Sequence, residues 1–242
     1  MNLPWYDGIV MDIIPLTATT RVFRIALPPE TDNFTFQPGQ FMTFDLPIHE
    51  KRHRRWRNYS IASAPDNSNI LEFVIVVLEK GAGTTYLFNE VKIGTTITMR
   101  GAQGVFTLPD PLPPSELCFI CTGTGIAPFR SMLLDMANKQ TNHPKMHLIF
   151  GTRYEKDILY RAEMENLTQQ LDLQYHLALS RETSPDFKGH RGYVHAIYEQ
   201  LYAQRPDAVF YLCGWNDMLD EAKTRLHHLG YDKKHIIYES YS

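Results

Sequence analysis

The sequence predicts a two-domain chain: a small antiparallel barrel or sandwich over residues 1–110, then an α/β doubly wound parallel sheet over residues 115–242. Three observations predict it. The first half is built of short β-branched and aromatic runs with almost no helical periodicity. The second half alternates apolar runs with segments of helical composition. Between them, PDPLPPSE at 109–116 can be neither helix interior nor central strand.

In the first half, RVFRIAL, QFMTFDL, NYSIAS, LEFVIVVLE and TTITMRG read as strands punctuated by Pro, Gly and Asn, and TTYLFNEV is the one helical segment. In the second, LCFICTG, KMHLIFGTR, LQYHLALSR, AVFYLCG and HIIYESY read as strands. APFRSMLLDMANK, KDILYRAEMENLTQQL, YVHAIYEQLYAQ and WNDMLDEAKTRLHHLG read as the helices that cover them, which is the pattern of βαβ units. There is no internal repeat or low-complexity segment.

Composition narrows the function classes. With 242 residues, 43% of them apolar and 21% charged, the chain is too apolar for disorder. A net charge of −3 gives no global attraction to nucleic acid. No apolar stretch reaches the roughly 20 residues that span a bilayer, and the opening MNLPWYDGIV has no basic region ahead of an apolar core. Cys118 and Cys121 would point to opposite faces of one strand, so the three cysteines suit a reduced, cytoplasmic protein rather than a disulfide scaffold. The ten histidines show no metal-ligand spacing, and no cysteine cluster suits an iron–sulfur centre.

Ligands of an open α/β sheet lie beyond the carboxyl ends of its strands, so the residues that follow each apolar run come first. LCFIC leads into TGTGIAPF. Gly123 and Gly125 permit a tight turn and a close backbone approach, and Pro128 suits the first turn of the helix, whose bare N–H groups fit a pyrophosphate. By itself the segment reads sooner as an ordinary glycine turn into a helix. GAGTTYLF offers a second phosphate cradle of the same kind, Gly81 and Gly83 followed by Thr84 and Thr85, though by sequence alone it reads sooner as a capped helix. The run KRHRRWR at 51–57 breaks off into RNYSIAS, and dense charge directly ahead of a hydroxyl-bearing strand suits a flat, phosphorylated ligand.

RNYS, TGTGIAPF and YLCGWNDM, in this order and at these separations, resemble the ferredoxin–NADP reductase superfamily, from the QPGQF turn to the terminal ESYS. The resemblance implies an N-terminal flavin-binding β-barrel and a C-terminal NAD(P)-binding α/β domain, with FAD as the flavin and NADP, or alternatively NAD, as the nucleotide. It implies that Arg57 binds a flavin phosphate, Tyr59 packs on the isoalloxazine and Ser60 hydrogen-bonds near N5. Gly83, Thr84 and Thr85 would hold the flavin pyrophosphate, while Thr122, Gly123, Thr124, Gly125, Pro128, Gly214 and Met218 would line the nicotinamide nucleotide. Cys213 would border nicotinamide C4, Glu239 would lie close to the flavin, and Tyr241 would cover the second flavin face. The family's plainest pattern ends on that aromatic, and here Ser242 follows it.

Arg153, Ser180 and Arg181 would surround a 2′-phosphate with Tyr193 on the adenine, and Lys188, His190 and Arg191 lie in the same loop while Glu182 adds a negative charge nearby. A matched Ser-Arg pair favours NADPH. The activity implied is hydride transfer from NAD(P)H to flavin and single-electron release to an acidic carrier such as a ferredoxin or flavodoxin, steered by Lys51, Arg52, Arg54 and Arg55. The expected protein is a monomer without nucleic-acid or membrane partners. Alternatives are an oxygenase reductase component, a free flavin or ferric reductase, or a non-catalytic electron-relay or regulatory subunit.

Overall fold

The computed structural model describes residues 3–31 and 34–241. The chain forms two compact units. The first runs to Thr107 and includes Ala127–Asp135; the second comprises Leu108–Ile126 and the residues from Met136 onward.

The first unit holds strands β1 (Trp5–Pro15), β2 (Thr20–Ala26), β3 (Phe41–Asp45), β4 (Trp56–Ser60), β5 (Ile70–Val76) and β6 (Thr96–Gln103), with helix α1 (Ala82–Asn89) between the last two. All pair antiparallel in the order β4-β3-β6-β1-β2-β5. The sheet rolls until its two ends meet, where Ala62 N–H donates to Glu72 O at 2.8 Å and Glu72 N–H donates to the Ser63 hydroxyl at 3.2 Å. Of the two architectures open from the sequence, it is the barrel. Its interior is packed with Phe23, Phe44, Phe73, Ile25 and Met42, all fully buried, with Phe44 and Phe73 edge-to-face at 4.9 Å. Residues 127–135 belong to this unit: Arg130 donates to Ala62 O at 2.7 Å and pairs with Glu72 at 2.8 Å, and the Ser131 hydroxyl donates to Ser63 O at 2.6 Å.

β1 is the longest strand and is absent from the runs read in the sequence. Asp7, Gly8 and Asp12 interrupt its apolar alternation, and a bulge between Val10 and Asp12 shifts its register against β2.

The second unit holds β7 (Glu116–Thr122), β8 (Met146–Thr152), β9 (Leu173–Leu179), β10 (His190–Arg191), β11 (Ala208–Gly214) and β12 (Ile236–Ser240). All are parallel, in the order β10-β9-β8-β7-β11-β12. From β7 the chain adds strands first on one side and then on the other, so the topological switch point lies between β7 and β11. The connecting helices are α2 (Ile126–Lys139), α3 (Arg161–Leu167), α4 (His195–Leu201) and α5 (Asn216–His228). β7 is buried at five consecutive residues, as a strand covered on both faces must be. α3 is much shorter than the helical composition of 156–171 predicts, because its first part is a 3-10 turn at Glu155–Asp157 and Tyr160 adopts φ 55° ahead of the helix. Among the described residues no helix is long and apolar enough to cross a membrane.

Candidate functional site

In the first unit, β4 is an edge of the sheet ladder paired to β3 with Phe44 opposite Arg57 and Met42 opposite Tyr59. Strand alternation therefore sends Arg57 and Tyr59 to one face and Asn58 to the other, where it accepts a 2.8 Å hydrogen bond from Thr43; Thr43 in turn accepts from Gln103 at 2.6 Å. The Tyr59 ring is backed by Phe44 at 4.9 Å. Burial pushes its phenol well above the usual range, and the nearby Arg57 acts the other way. Ser60 is 5% exposed.

The two stretches expected to serve the flavin meet. Arg57 lies against the start of α1, where a Cβ on Gly83 would fall 2.9 Å from Arg57 Cγ and 3.4 Å from Leu46 Cδ1, so this close approach requires glycine. The guanidinium is anchored on the carbonyls of Arg54 at 3.1 Å and Trp56 at 2.7 Å. The Thr84 hydroxyl is spent on the turn itself, donating to Gly81 O at 3.1 Å and accepting from Leu78 N–H at 3.0 Å. What this corner offers a phosphate is the guanidinium, the exposed Thr85 and the first-turn N–H groups of α1, which have no acceptor earlier in the helix. That donor set fits a pyrophosphate-bearing flavin.

The basic run is less uniform than its sequence. Arg52 pairs with Asp45 at 2.8 Å, and Arg55 donates to the carbonyls of His49 at 2.6 Å and Glu50 at 3.4 Å. Lys51 and Arg54 are exposed, and neither side chain bonds to another described residue. Trp56 anchors the run: Arg100 lies 4.4 Å over its ring and 4.9 Å over Trp5, and Arg52 lies 5.0 Å over Trp5.

In the second unit, the residues expected at the nicotinamide nucleotide gather at the switch point. Gly123 has φ 53°, a conformation that favours glycine, with open space where a Cβ would stand. A Cβ on Gly125 would run into the Cys213 carbonyl, and one on Gly214 (φ 154°) would lie 2.5 Å from Thr122 Oγ1 and 2.8 Å from Met218 Cε. Thr122 Oγ1 is buried without a hydrogen-bond partner, an orphan that a ligand's polar group would satisfy. Thr124 is buried; Pro128, in the first turn of α2, falls among the residues of the first unit. These features fit a phosphorylated dinucleotide.

Cys213, Glu239 and Tyr241 also come together. Cys213 is opposite Glu239 in the β11–β12 register, and Tyr241 N–H donates to Gly214 O at 3.0 Å. Burial drives the Cys213 thiol well above its usual range, the Glu239 carboxylate adds to the rise, and a hydrogen bond with Tyr241 opposes it. Cys118, Cys121 and Cys213 are all buried free thiols. Ser242 lies outside the described residues.

Arg153, Ser180 and Arg181 stand together at the ends of β8 and β9, with the Ser180 hydroxyl donating to Thr152 O at 3.4 Å. Arg191 turns inward instead, donating to the carbonyls of Ser184 at 2.5 Å and Phe187 at 3.1 Å. Tyr193 is 72% exposed, its ring 6.4 Å from that of His195. The negative charge expected of Glu182 is engaged by backbone N–H groups, a contact with no signal in the sequence. Also unanticipated is a buried pair in the sheet, His147 Nδ1 and His176 Nε2 at 3.0 Å. No cluster suited to a metal ion occurs among the described residues.

Residues 8–108 match the oxidoreductase FAD-binding domain family and residues 119–224 the oxidoreductase NAD-binding domain family. Ferredoxin–NADP reductase B of Sorangium cellulosum is 36% identical over 217 residues, covering 86% of each chain. The anthranilate 1,2-dioxygenase electron transfer component of Acinetobacter baylyi is 28% identical over 234 residues, covering 96% of this chain and 66% of the relative. Like it, the phenol 2-monooxygenase reductase component of a Pseudomonas species is longer, and this chain spans 61% of it at 28% identity. Among solved structures, a ferredoxin NADP+ reductase from Neisseria gonorrhoeae with bound FAD and NADP has the same fold, with a TM-score of 0.82 at 22% identity over 99% of both chains.

Proposed function

We propose that this chain, which belongs to the ferredoxin–NADP reductase superfamily and is an NAD(P)H-dependent flavoprotein reductase, takes its hydride from NADPH and passes electrons singly to an acidic carrier protein such as a ferredoxin or flavodoxin. The observation that carries the choice of nucleotide is the arginine pair at the ends of β8 and β9. Arg153 and Arg181 are exposed, stand with Ser180 just past the ends of their strands, and have no ion pair among the described residues. Charge-assisted hydrogen bonds from such a group match a 2′-phosphate, which NADH lacks.

When bound, FAD supplies the exchange between a two-electron donor and a one-electron acceptor. The chain's own residues bind and orient. In this reading Arg57 and the first turn of α1 hold the flavin phosphates, Tyr59 packs on the ring system, and Ser60 hydrogen-bonds near N5. Thr122, Gly123, Thr124, Gly125, Gly214 and Met218 let the nicotinamide nucleotide approach the backbone closely, and Tyr193 covers the adenine. Cys213 is a neutral, buried thiol that shapes the nicotinamide pocket rather than a nucleophile, because its pKa is raised. Glu239 and Tyr241 complete the catalytic set. Lys51 and Arg54, the two cations of the basic run left unengaged, steer the carrier, and the protein works as a cytoplasmic monomer.

The relatives of longer chain length that serve oxygenases support a second acceptor reading, in which electrons pass to an oxygenase component. The nucleotide is tested by kcat/KM for NADPH and NADH in the wild type and in Arg181→Ala. A wild type preferring NADPH, with a preference reduced about tenfold or more in the variant, is expected from the loss of one charged hydrogen bond. Equal ratios in the two proteins, or a wild type preferring NADH, remove Arg181 from the phosphate site.

A further inference from the structure

Beyond the ends of β8 and β9 the two chains remain zipped. Ser180 N–H donates to Thr152 O at 3.0 Å and Arg181 N–H to Arg153 O at 2.9 Å, so the two chains stay bonded just past both strands. These bonds keep the backbones of Arg153 and Arg181 together, and the loops beyond them need a further contact to hold them to one another.

The Glu182 carboxylate supplies it. One oxygen, Oε2, accepts from Glu155 N–H at 3.0 Å in the loop after β8. The other, Oε1, accepts from Thr183 N–H at 3.0 Å and Ser184 N–H at 2.9 Å in the loop after β9. Arg191 fastens the far end of that second loop through the Ser184 and Phe187 carbonyls. Glu182 thus joins the two loops that carry the arginines, and among the described residues it makes no salt bridge to either. The N–H groups of Glu155 and Ser184, the two largest causes, hold its carboxyl below the usual range, with Arg191 a lesser one. It remains a charged, strong acceptor.

We infer that Glu182 is a positioning residue for nucleotide selection, clamping the loops after β8 and β9 so that Arg153, Ser180 and Arg181 form one preformed anion site. The inference rests on the NADPH reading. It also predicts a sign that simple charge does not. A carboxylate beside a phosphate site, acting by Coulomb repulsion alone, weakens phosphate binding, so its removal should tighten it. A clamp does the reverse: its removal leaves the arginines to pay ordering entropy on binding.

The test is calorimetric titration of 2′,5′-ADP and 5′-AMP into FAD-loaded wild type, Glu182→Gln and Glu182→Ala, with amide exchange followed at Glu155, Thr183 and Ser184. Glu182→Ala is expected to lose about tenfold in affinity for 2′,5′-ADP and less than about twofold for 5′-AMP, with faster exchange at the three amides. Glu182→Gln, which keeps one acceptor oxygen, should fall between. Unchanged or tighter 2′,5′-ADP binding in both variants overturns the clamp, as does an equal loss for both probes or unchanged amide exchange. A wild type that binds the two probes equally refutes the NADPH reading itself, whatever the variants do.

Discussion

Arg57 is the residue on which both stretches of the proposed flavin corner converge. Its side chain lies on Gly83 and its guanidinium is oriented by two carbonyls, so the fork is held in place before any phosphate arrives. Replacing it by Ala should remove a charge-assisted contact of about 1.5 to 3 kcal/mol, weakening FAD retention by roughly tenfold or more. Arg57→Lys, which keeps the charge without the fork, should retain an intermediate share. FAD occupancy after exhaustive dialysis measures this, and full occupancy in the alanine variant would remove Arg57 from the phosphate contacts. The roles proposed for RNYS come from the family resemblance, and guanidinium, phenol and hydroxyl are chemically suited to them. The anchoring of Arg52 and Arg55 was not legible in the sequence, since their partners are Asp45 and loop carbonyls whose proximity depends on the hairpin conformation.

At the scale of elements, the second sheet was the more readable half: a strand buried on both faces is a continuous apolar run, and LCFIC and AVFYLCG declare themselves. β1 did not, because a bulged strand with glycine and aspartate in it has no clean alternation. Nor did the pairing of His147 on β8 with His176 on β9, which depends on strand order. Around it stand Glu116, 3.7 Å from His147, with Lys145 and Asp172 nearby. Burial lowers the pKa of His147 to about 4, His176 and Lys145 contributing, and that of His176 is lowered as well. The folded values lie below the unfolded value of about 6.5, so the unfolded chain binds more protons across that interval. The stability contributed by the neutral pair is fully present above pH about 6.5 and is lost as the pH falls towards 4. Melting temperature should drop by at least about 2 to 4 °C between pH 7.5 and pH 5, and His147→Gln should flatten that slope. A slope identical in the variant would show that His147 does not govern it.

For the whole molecule, a net charge of −3 hides a local excess of positive charge, and Lys51 and Arg54 are its unengaged members. Steering by so few charges acts on encounter rates and is screened over about 8 Å at physiological ionic strength. Electron transfer to an acidic carrier should therefore slow with added salt, and the double variant Lys51→Glu with Arg54→Glu should be slower at low salt and nearly salt-independent. Stopped-flow rates indifferent to both salt and charge reversal would place the docking surface elsewhere. The bond from Ala62 N–H to Glu72 O, where the rolled sheet meets itself, bears on the same encounter. At that point the backbone groups of the two sheet ends already have each other as partners, so a visiting chain cannot add a strand there. A carrier meeting the barrel at that point would be held by side chains, and a hold of that kind releases quickly, which would suit a partner that leaves after each electron.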